Sequence, residues 1–240
     1  MTLRFQAMAV AIAAGVGVFL GAQELRLIPQ AWSEESNATR VSYASGGDVA
    51  SYTSAISARP DDFMSYYRRG LHYQAVGQLD LALADLDRAV ALSPTPATRR
   101  MLGVEAQDTL SPQTRTLNRV VFVRLMRANV LTRLERENEA LADLDQALVL
   151  DGRKTSAIFA RAALLTSLER FDEALADYDA LLARHPDPNW SFGRGVAKYH
   201  AGDVVGAAED FRNALRGRPQ DSEFQDWFAK ASLRATVAAQ

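Results

Sequence analysis

Glu139-Ala-Leu-Ala-Asp-Leu-Asp-Gln-Ala147 is the stretch that decides how this chain is read. It returns 34 residues later as Glu173-Ala-Leu-Ala-Asp-Tyr-Asp-Ala-Leu181, and an earlier copy reads Leu81-Ala-Leu-Ala-Asp-Leu-Asp-Arg-Ala89. A looser copy, Gly206-Ala-Ala-Glu-Asp-Phe-Arg-Asn-Ala214, follows after a further 33 residues. Self-similarity at such a period is the mark of a repeat architecture. Within each copy apolar or small residues recur three and four apart, as at Ala82, Leu86, Ala89 and Val90, which predicts an amphipathic helix.

Each copy is followed by a stop, at Pro94, Gly152, Pro186 and Pro219, and preceded by a second helical stretch. These stretches are Phe63 to Ala75, Val121 to Arg133, Thr155 to Ser167 and Asn189 to His200. Gly77 and Gly202 fall in the short turns between partner helices, where a helix end favours the left-handed conformation. The unit is therefore a helix–turn–helix pair of about 34 residues that cannot bury its apolar face alone.

The pattern resembles the tetratricopeptide repeat family. Gly70, Ala128, Ala162 and Gly195 fill that family's small first-helix position, and Ala82, Ala140, Ala174 and Ala207 open its second-helix pattern. Leu86, Leu144, Tyr178 and Phe211 follow where the family places a large apolar residue. Ala89, Ala147, Leu181 and Ala214 take the next small position, with Leu181 a departure. The resemblance spans about Phe63 to Asp221 and implies an all-α, right-handed solenoid of antiparallel helix pairs, with four full repeats at 63–96, 121–154, 155–188 and 188–221. Asp48 to Pro60, with Tyr52, Ala55 and Ile56, reads as the second helix of a degraded leading half-repeat over 48–62.

The first two copies lie 58 residues apart, so about 24 residues are inserted at 97–120. Ser111-Pro112 reads as an N-cap and first helical position, which starts the helix ending near Arg133 early. A last segment, 222–238, with Ser222 as its cap and Phe224, Trp227, Phe228 and Ala231 on one side, is expected to cover the final repeat.

Arg69, Arg127, Arg161 and Arg194 each stand one residue before the small first-helix residue, where the family ordinarily has Leu. Asp85, Asp143, Asp177 and Asp210 hold a matching place on the second helices. One reading is a ladder that binds a charged partner. The other is an Arg–Asp pair tying the two helices of each repeat, and the fidelity of both columns favours it.

The resemblance also implies a concave groove lined by first helices. Carried onto this chain, its lining is Tyr67, Leu71 and Gln74; Leu125, Asn129, Thr132 and Arg133; Phe159, Ala163 and Thr166; and Phe192, Val196, Tyr199 and His200. Such a mixed aromatic and polar surface suits a protein or peptide segment. Tyr199 and other aromatics there are equally suited to packing between helices. The family's chaperone-tail-binding subset clamps a terminal carboxylate with Lys, Asn and Arg. Only Asn129 matches, with Leu125 in place of the clamp's Lys, so no such clamp is expected.

Composition agrees with a helical scaffold. Ala and Leu dominate, and 27 basic against 29 acidic residues give a net charge of −2, with no basic concentration that would suit nucleic acid. There is no cysteine, so disulfides and thiolate chemistry are excluded. His72, His185 and His200 form no metal-ligand spacing, and Gly15-Val-Gly17 and Gly193-Arg-Gly195 do not extend into a dinucleotide fingerprint. No catalytic, cofactor or metal site is expected, so the chain reads as a non-enzyme. A self-associating subunit and an accessory to an enzyme encoded elsewhere are the alternatives to an adaptor.

The N-terminus carries a separate signal. Arg4 precedes an uncharged run from Phe5 to Ala22, closed by Glu24 and Arg26. Its 18 residues just suffice to cross a bilayer core of roughly 30 Å. Leu20 is bulky where a cleavage site favours a small residue. Both points favour a membrane anchor over a cleaved signal within 1–23. Ala13, Gly17 and Gly21 would permit close helix approach in a membrane, though such residues are also common in signal segments. With Arg4 on the inner side, the rest of the chain is expected outside the cytoplasm, in the cell envelope, on the periplasmic side. Residues 24–47, Ser-, Asn- and Gly-bearing over Ser33 to Gly47, read as a flexible linker.

Overall fold

The computed structural model describes residues 48–93 and 112–238, and every regular element there is a helix. In chain order they are α1 (Val49–Ala58), α2 (Phe63–Ala75), α3 (Leu79–Leu92), α4 (Pro112–Arg133), α5 (Glu137–Leu150), α6 (Thr155–Ser167), α7 (Phe171–Leu182), α8 (Pro188–Ala201), α9 (Val204–Gly217) and α10 (Ser222–Ala238). The apolar run at Phe5 to Ala22, the linker at 24–47 and the Ser111 cap lie outside the described residues. Among the described residues no helix is long and apolar enough to cross a membrane.

Each helix packs on the one before it and the one after it, so the chain folds as a solenoid of antiparallel pairs. The pairs are α2–α3, α4–α5, α6–α7 and α8–α9. Helix α1 packs against α2 with Tyr52 buried, and α10 closes the far end on α9. First helices also touch the next first helix, as α2 touches α4 and α6 touches α8. The long α4 has 22 residues. Its extra turns are packed, since Leu117 and Val120 are buried. The expected insertion at 97–120 is thus helical from Pro112 onward.

Aspartates start several helices. Asp62 Oδ1 accepts from the Met64 amide, Asp187 Oδ1 from the Asn189 amide at 2.8 Å, and Asp203 Oδ1 from the Gly206 amide at 2.9 Å. Each satisfies a donor that helix geometry leaves unpaired. At α10 the cap is Asp221, whose Oδ1 accepts from the Phe224 amide, and not Ser222, which is the first helical residue. A carboxylate there also complements the helix dipole.

The turns inside the four full repeats share one conformation. Gly77 and Gly202 have φ of 80° and 96°, and Glu135 and Glu169 at the equivalent positions have φ of 59°. A residue with a Cβ loses about 1–2 kcal/mol in this region, against about 0.5–1 kcal/mol of extra unfolded-state entropy when glycine replaces it. Glu135→Gly and Glu169→Gly are therefore expected each to raise stability by about 0.5 kcal/mol, read from denaturant midpoints at unchanged slope. A drop in either midpoint would contradict this account of the turns.

The core is a column of small residues facing large ones. Ala82, Ala128, Ala140, Ala162, Ala174 and Ala207 are fully enclosed and let paired helices approach closely. Leu86, Leu144, Tyr178 and Phe211 fill the space between them. Tyr178 is the outlier in size, and its ring is received by Gly193 on α8. A Cβ built at Gly193 would lie 2.6 Å from the Tyr178 Oη and 2.7 Å from Cζ. After Leu144 the equivalent position in the next first helix is Ala160. Large and small residues are thus exchanged in concert across this interface. The enclosed Tyr178 hydroxyl lies beside Thr166, which donates its own proton to the Ala162 carbonyl. Burial holds the phenol well above its ordinary pKa.

Candidate protein-binding face

The first helices carry two sets of residues with different fates. One set ties the solenoid together. Arg69, Arg127, Arg161 and Arg194 each donate from Nε and Nη2 to both carboxylate oxygens of Asp85, Asp143, Asp177 and Asp210, at 2.5–2.9 Å. This two-point geometry is the strong form of the ion pair. It ties first helix to second within each repeat, which is the structural reading of the two columns. Asp143 and Asp210 are about 1% exposed, and each has a second cation, Arg124 Nη1 at 2.9 Å and Lys198 Nζ at 2.8 Å.

The remaining guanidinium nitrogen of each arginine reaches backward to the preceding repeat. Arg127 Nη1 donates to Asp87, Arg161 Nη1 to Asp145 and Arg194 Nη1 to Asp179, at 2.9, 2.8 and 2.6 Å. The ladder is continuous from repeat to repeat. At its start Arg69 Nη1 donates instead to Thr53 Oγ1 of α1 at 3.0 Å. At its end the charges are exchanged: Arg212 stands at the aspartate position and its guanidinium lies over the Phe228 ring, 5.5 Å from the centroid. The hydrogen bonds that Arg161 and Arg194 donate to Asp177 and Asp210 hold both guanidinium groups above their ordinary range. The ladder's arginines therefore stay charged at any ordinary pH.

The third column, Asp87, Asp145 and Asp179, was not singled out from sequence. Its signal was its strict place two residues after the first aspartate. On an outward helix that spacing reads as simple solvation.

The second set is the expected groove lining, and the structure divides it. Tyr67, Leu125, Asn129, Thr166, Phe192, Val196 and Tyr199 are buried, as is Ala163. Phe192 stacks on Phe224 with centroids 4.3 Å apart, and Tyr199 meets Trp227 edge-on at 5.4 Å. Helix α10 covers them, so these aromatics pack between helices. Thr166 is turned inward by its bond to the Ala162 carbonyl.

Leu71, Gln74, Thr132, Phe159 and His200 are half-buried and Arg133 is exposed. Gln74 Nε2 donates to Asn129 Oδ1 at 2.6 Å and bridges α2 to α4. Phe159 lies edge-on to Tyr178 at 6.1 Å. Two half-buried residues of α4 that sequence reasoning passed over, Phe122 and Met126, belong with this set. Lys154 Nζ sits 4.3 Å from the Phe122 ring centroid. Their helical spacing from Leu125 and Asn129 was the available signal. Among the described residues no cluster of His, Asp or Glu is arranged to hold a metal ion.

Comparison with known proteins agrees with this geometry. Two family models, both described as tetratricopeptide repeat, match residues 65–96 and 159–222. No curated protein sequence matches the chain. Among solved structures, a tetratricopeptide repeat protein from Parabacteroides merdae is similar at 17% identity and a TM-score of 0.62, over 91% of this chain and 76% of that one. MamA is similar at 16% identity and a TM-score of 0.56, over 82% of this chain and 94% of its own. The C-terminal part of a repeat-containing protein from Cytophaga hutchinsonii is similar at 16% identity and a TM-score of 0.58, over 85% and 69%. At these identities the likeness is one of fold. With tetratricopeptide repeat models matching residues 65–96 and 159–222 and its helix pairs stacked as a solenoid, the chain carries tetratricopeptide repeats and has the architecture of a protein–protein interaction scaffold.

Proposed function

We propose that this protein is a non-catalytic adaptor of the cell envelope, which holds a segment of a partner protein against its first helices. The observation that carries the reading is the set of half-covered residues Leu71, Gln74, Phe122, Met126 and Phe159 on consecutive first helices. It joins apolar area with polar groups on a preformed surface, which is what peptide-binding faces require. The rigid ladder behind it holds that surface in one shape, so little ordering is needed on binding. The periplasmic placement rests on the run from Phe5 to Ala22 behind Arg4.

Site-specific photo-crosslinking in intact cells tests the binding face. A crosslinker at Phe159 or Leu71 is expected to trap a partner, and one at Val149 on the second helix α5 is not. Phe159→Arg should abolish the adduct formed from Leu71. Equal capture from Val149, or an adduct unmoved by Phe159→Arg, overturns the reading. An adduct of twice the chain's own mass would instead favour a self-associating subunit. Protease protection of the intact chain in spheroplasts tests the location, and protection from added protease would contradict it.

A further inference from the structure

The four first helices share a property that neither the repeat pattern nor the ladder requires. Helices α2, α4, α6 and α8 contain no aspartate or glutamate at all. The second helices hold the acids: Asp80, Asp85 and Asp87 on α3, four acidic residues each on α5 and α7, and Glu209 and Asp210 on α9. Charge is therefore sorted by layer. The ladder consumes the arginines that face the second helices. Others remain on the first-helix layer: Arg68 on α2 and Arg119 and Arg133 on α4 are exposed. None of these three forms an ion pair with a described residue.

The last helix extends the layer in position, although it carries Glu223 and Asp226 near its start. Counted in repeat register, α10 stands where a fifth first helix would. Arg234 takes the position that Arg133 holds on α4 and His200 on α8, and Lys230 takes that of Asn129 and Val196. Lys230 Nζ lies 4.6 Å from the Trp227 centroid, and the Arg234 guanidinium 5.0 Å from that of Tyr199. Arg234 is exposed and pairs with no described carboxylate. Its aromatic seat fixes a charge at the end of the face. Arg133 and Arg234 thus mark two cationic points on one layer, with Phe159 on α6 between them, Met126 on the same helix as Arg133, and Leu71 on α2 beyond it.

From this sorting we infer that the segment held on the first-helix face is acidic. It would place apolar side chains against Leu71, Met126 and Phe159 and carboxylates toward Arg133 and Arg234. The inference rests on the binding face proposed above and adds the partner's charge. Complementary charge would act mainly on the encounter rate and on rejection of basic segments, while the apolar contacts hold the complex.

The test uses the full chain in detergent and three fluorescent peptides of equal length. One alternates Glu with Leu and Phe, and the others carry Gln or Lys in place of Glu. Anisotropy is expected to show the acidic peptide binding about tenfold or more tighter than the Gln peptide, with the Lys peptide weakest. The preference should fall about tenfold between low and high salt, as screening demands. The double variant Arg133→Glu/Arg234→Glu should lose the preference while keeping its helical circular dichroism. Arg153→Glu, placed between repeats, should keep it. If the three peptides bind alike and Phe159→Arg abolishes them all, the face stands and its acidic specificity is overturned. If none binds through Phe159, the face itself fails. A single-stranded oligonucleotide binding as tightly as the acidic peptide would reduce the surface to a general polyanion site and overturn the proposal.

Discussion

Asp143→Ala is expected to lower the unfolding free energy by about 3–5 kcal/mol, which is the usual loss when one partner of a buried ion pair is removed. Asp143 accepts from Arg127 through two nitrogens and from Arg124 through a third, and it is about 1% exposed. Its removal leaves two guanidinium groups, each more than three-quarters covered, facing a void. Truncation of Asp87 is a different matter. It binds the same Arg127 but remains more than half exposed. Its removal should cost no more than about 1 kcal/mol, because water replaces an exposed partner. Replacing Arg124, Arg127 and Asp143 together by apolar residues of similar volume should restore most of the loss, since the pair returns little beyond its desolvation cost. Denaturant unfolding of the three variants gives the order directly. Equal losses for Asp87→Ala and Asp143→Ala would refute the distinction between inner tie and outer rung.

The second large effect lies at Gly193. Gly193→Ala drives a methyl into the Tyr178 ring, and overpacking a closed interface costs about 1–3 kcal/mol beyond the gain in helix propensity. Tyr178→Leu alone should cost a comparable amount by opening a cavity. Together they recreate the Leu144–Ala160 pairing of the preceding interface. The double variant is expected within about 1 kcal/mol of the parent, with a coupling of about 2 kcal/mol or more. Additive losses would mean that Tyr178 and Gly193 do not compensate one another. A shift of 1 kcal/mol moves the melting temperature of a chain of this size by about 2–4 °C, so calorimetry resolves every arm.

Much of the fold could be read before the structure because one unit is written several times. A lone Ala-Leu-Ala-Asp-Leu-Asp says only helix, but its return at 34 residues gives the pairing, the small-to-large contacts and the Arg–Asp ties. The unread parts have physical causes. Glu135 and Glu169 give no hint of a left-handed backbone, since glutamate is ordinarily a helix former, and only their alignment with Gly77 and Gly202 reveals it. The groove was half legible. The helical spacing selects one side of each first helix, but spacing does not tell whether a neighbour covers that side. At α8 it does, because α10 brings Phe224 and Trp227 onto Phe192 and Tyr199. At α2 and α6 the side remains partly open.

The two ends of the ladder bear on how such a molecule lengthens. Every internal joint offers an arginine forward and an aspartate behind, so a duplicated unit spliced between two repeats finds both partners waiting. The ends do not match this grammar. Thr53 stands at one and Arg212 against Phe228 at the other. The ladder resembles a polymer with distinct initiating and terminating groups: internal duplication in the gene would lengthen it, while its two ends among the described residues carry groups unlike those of its internal joints.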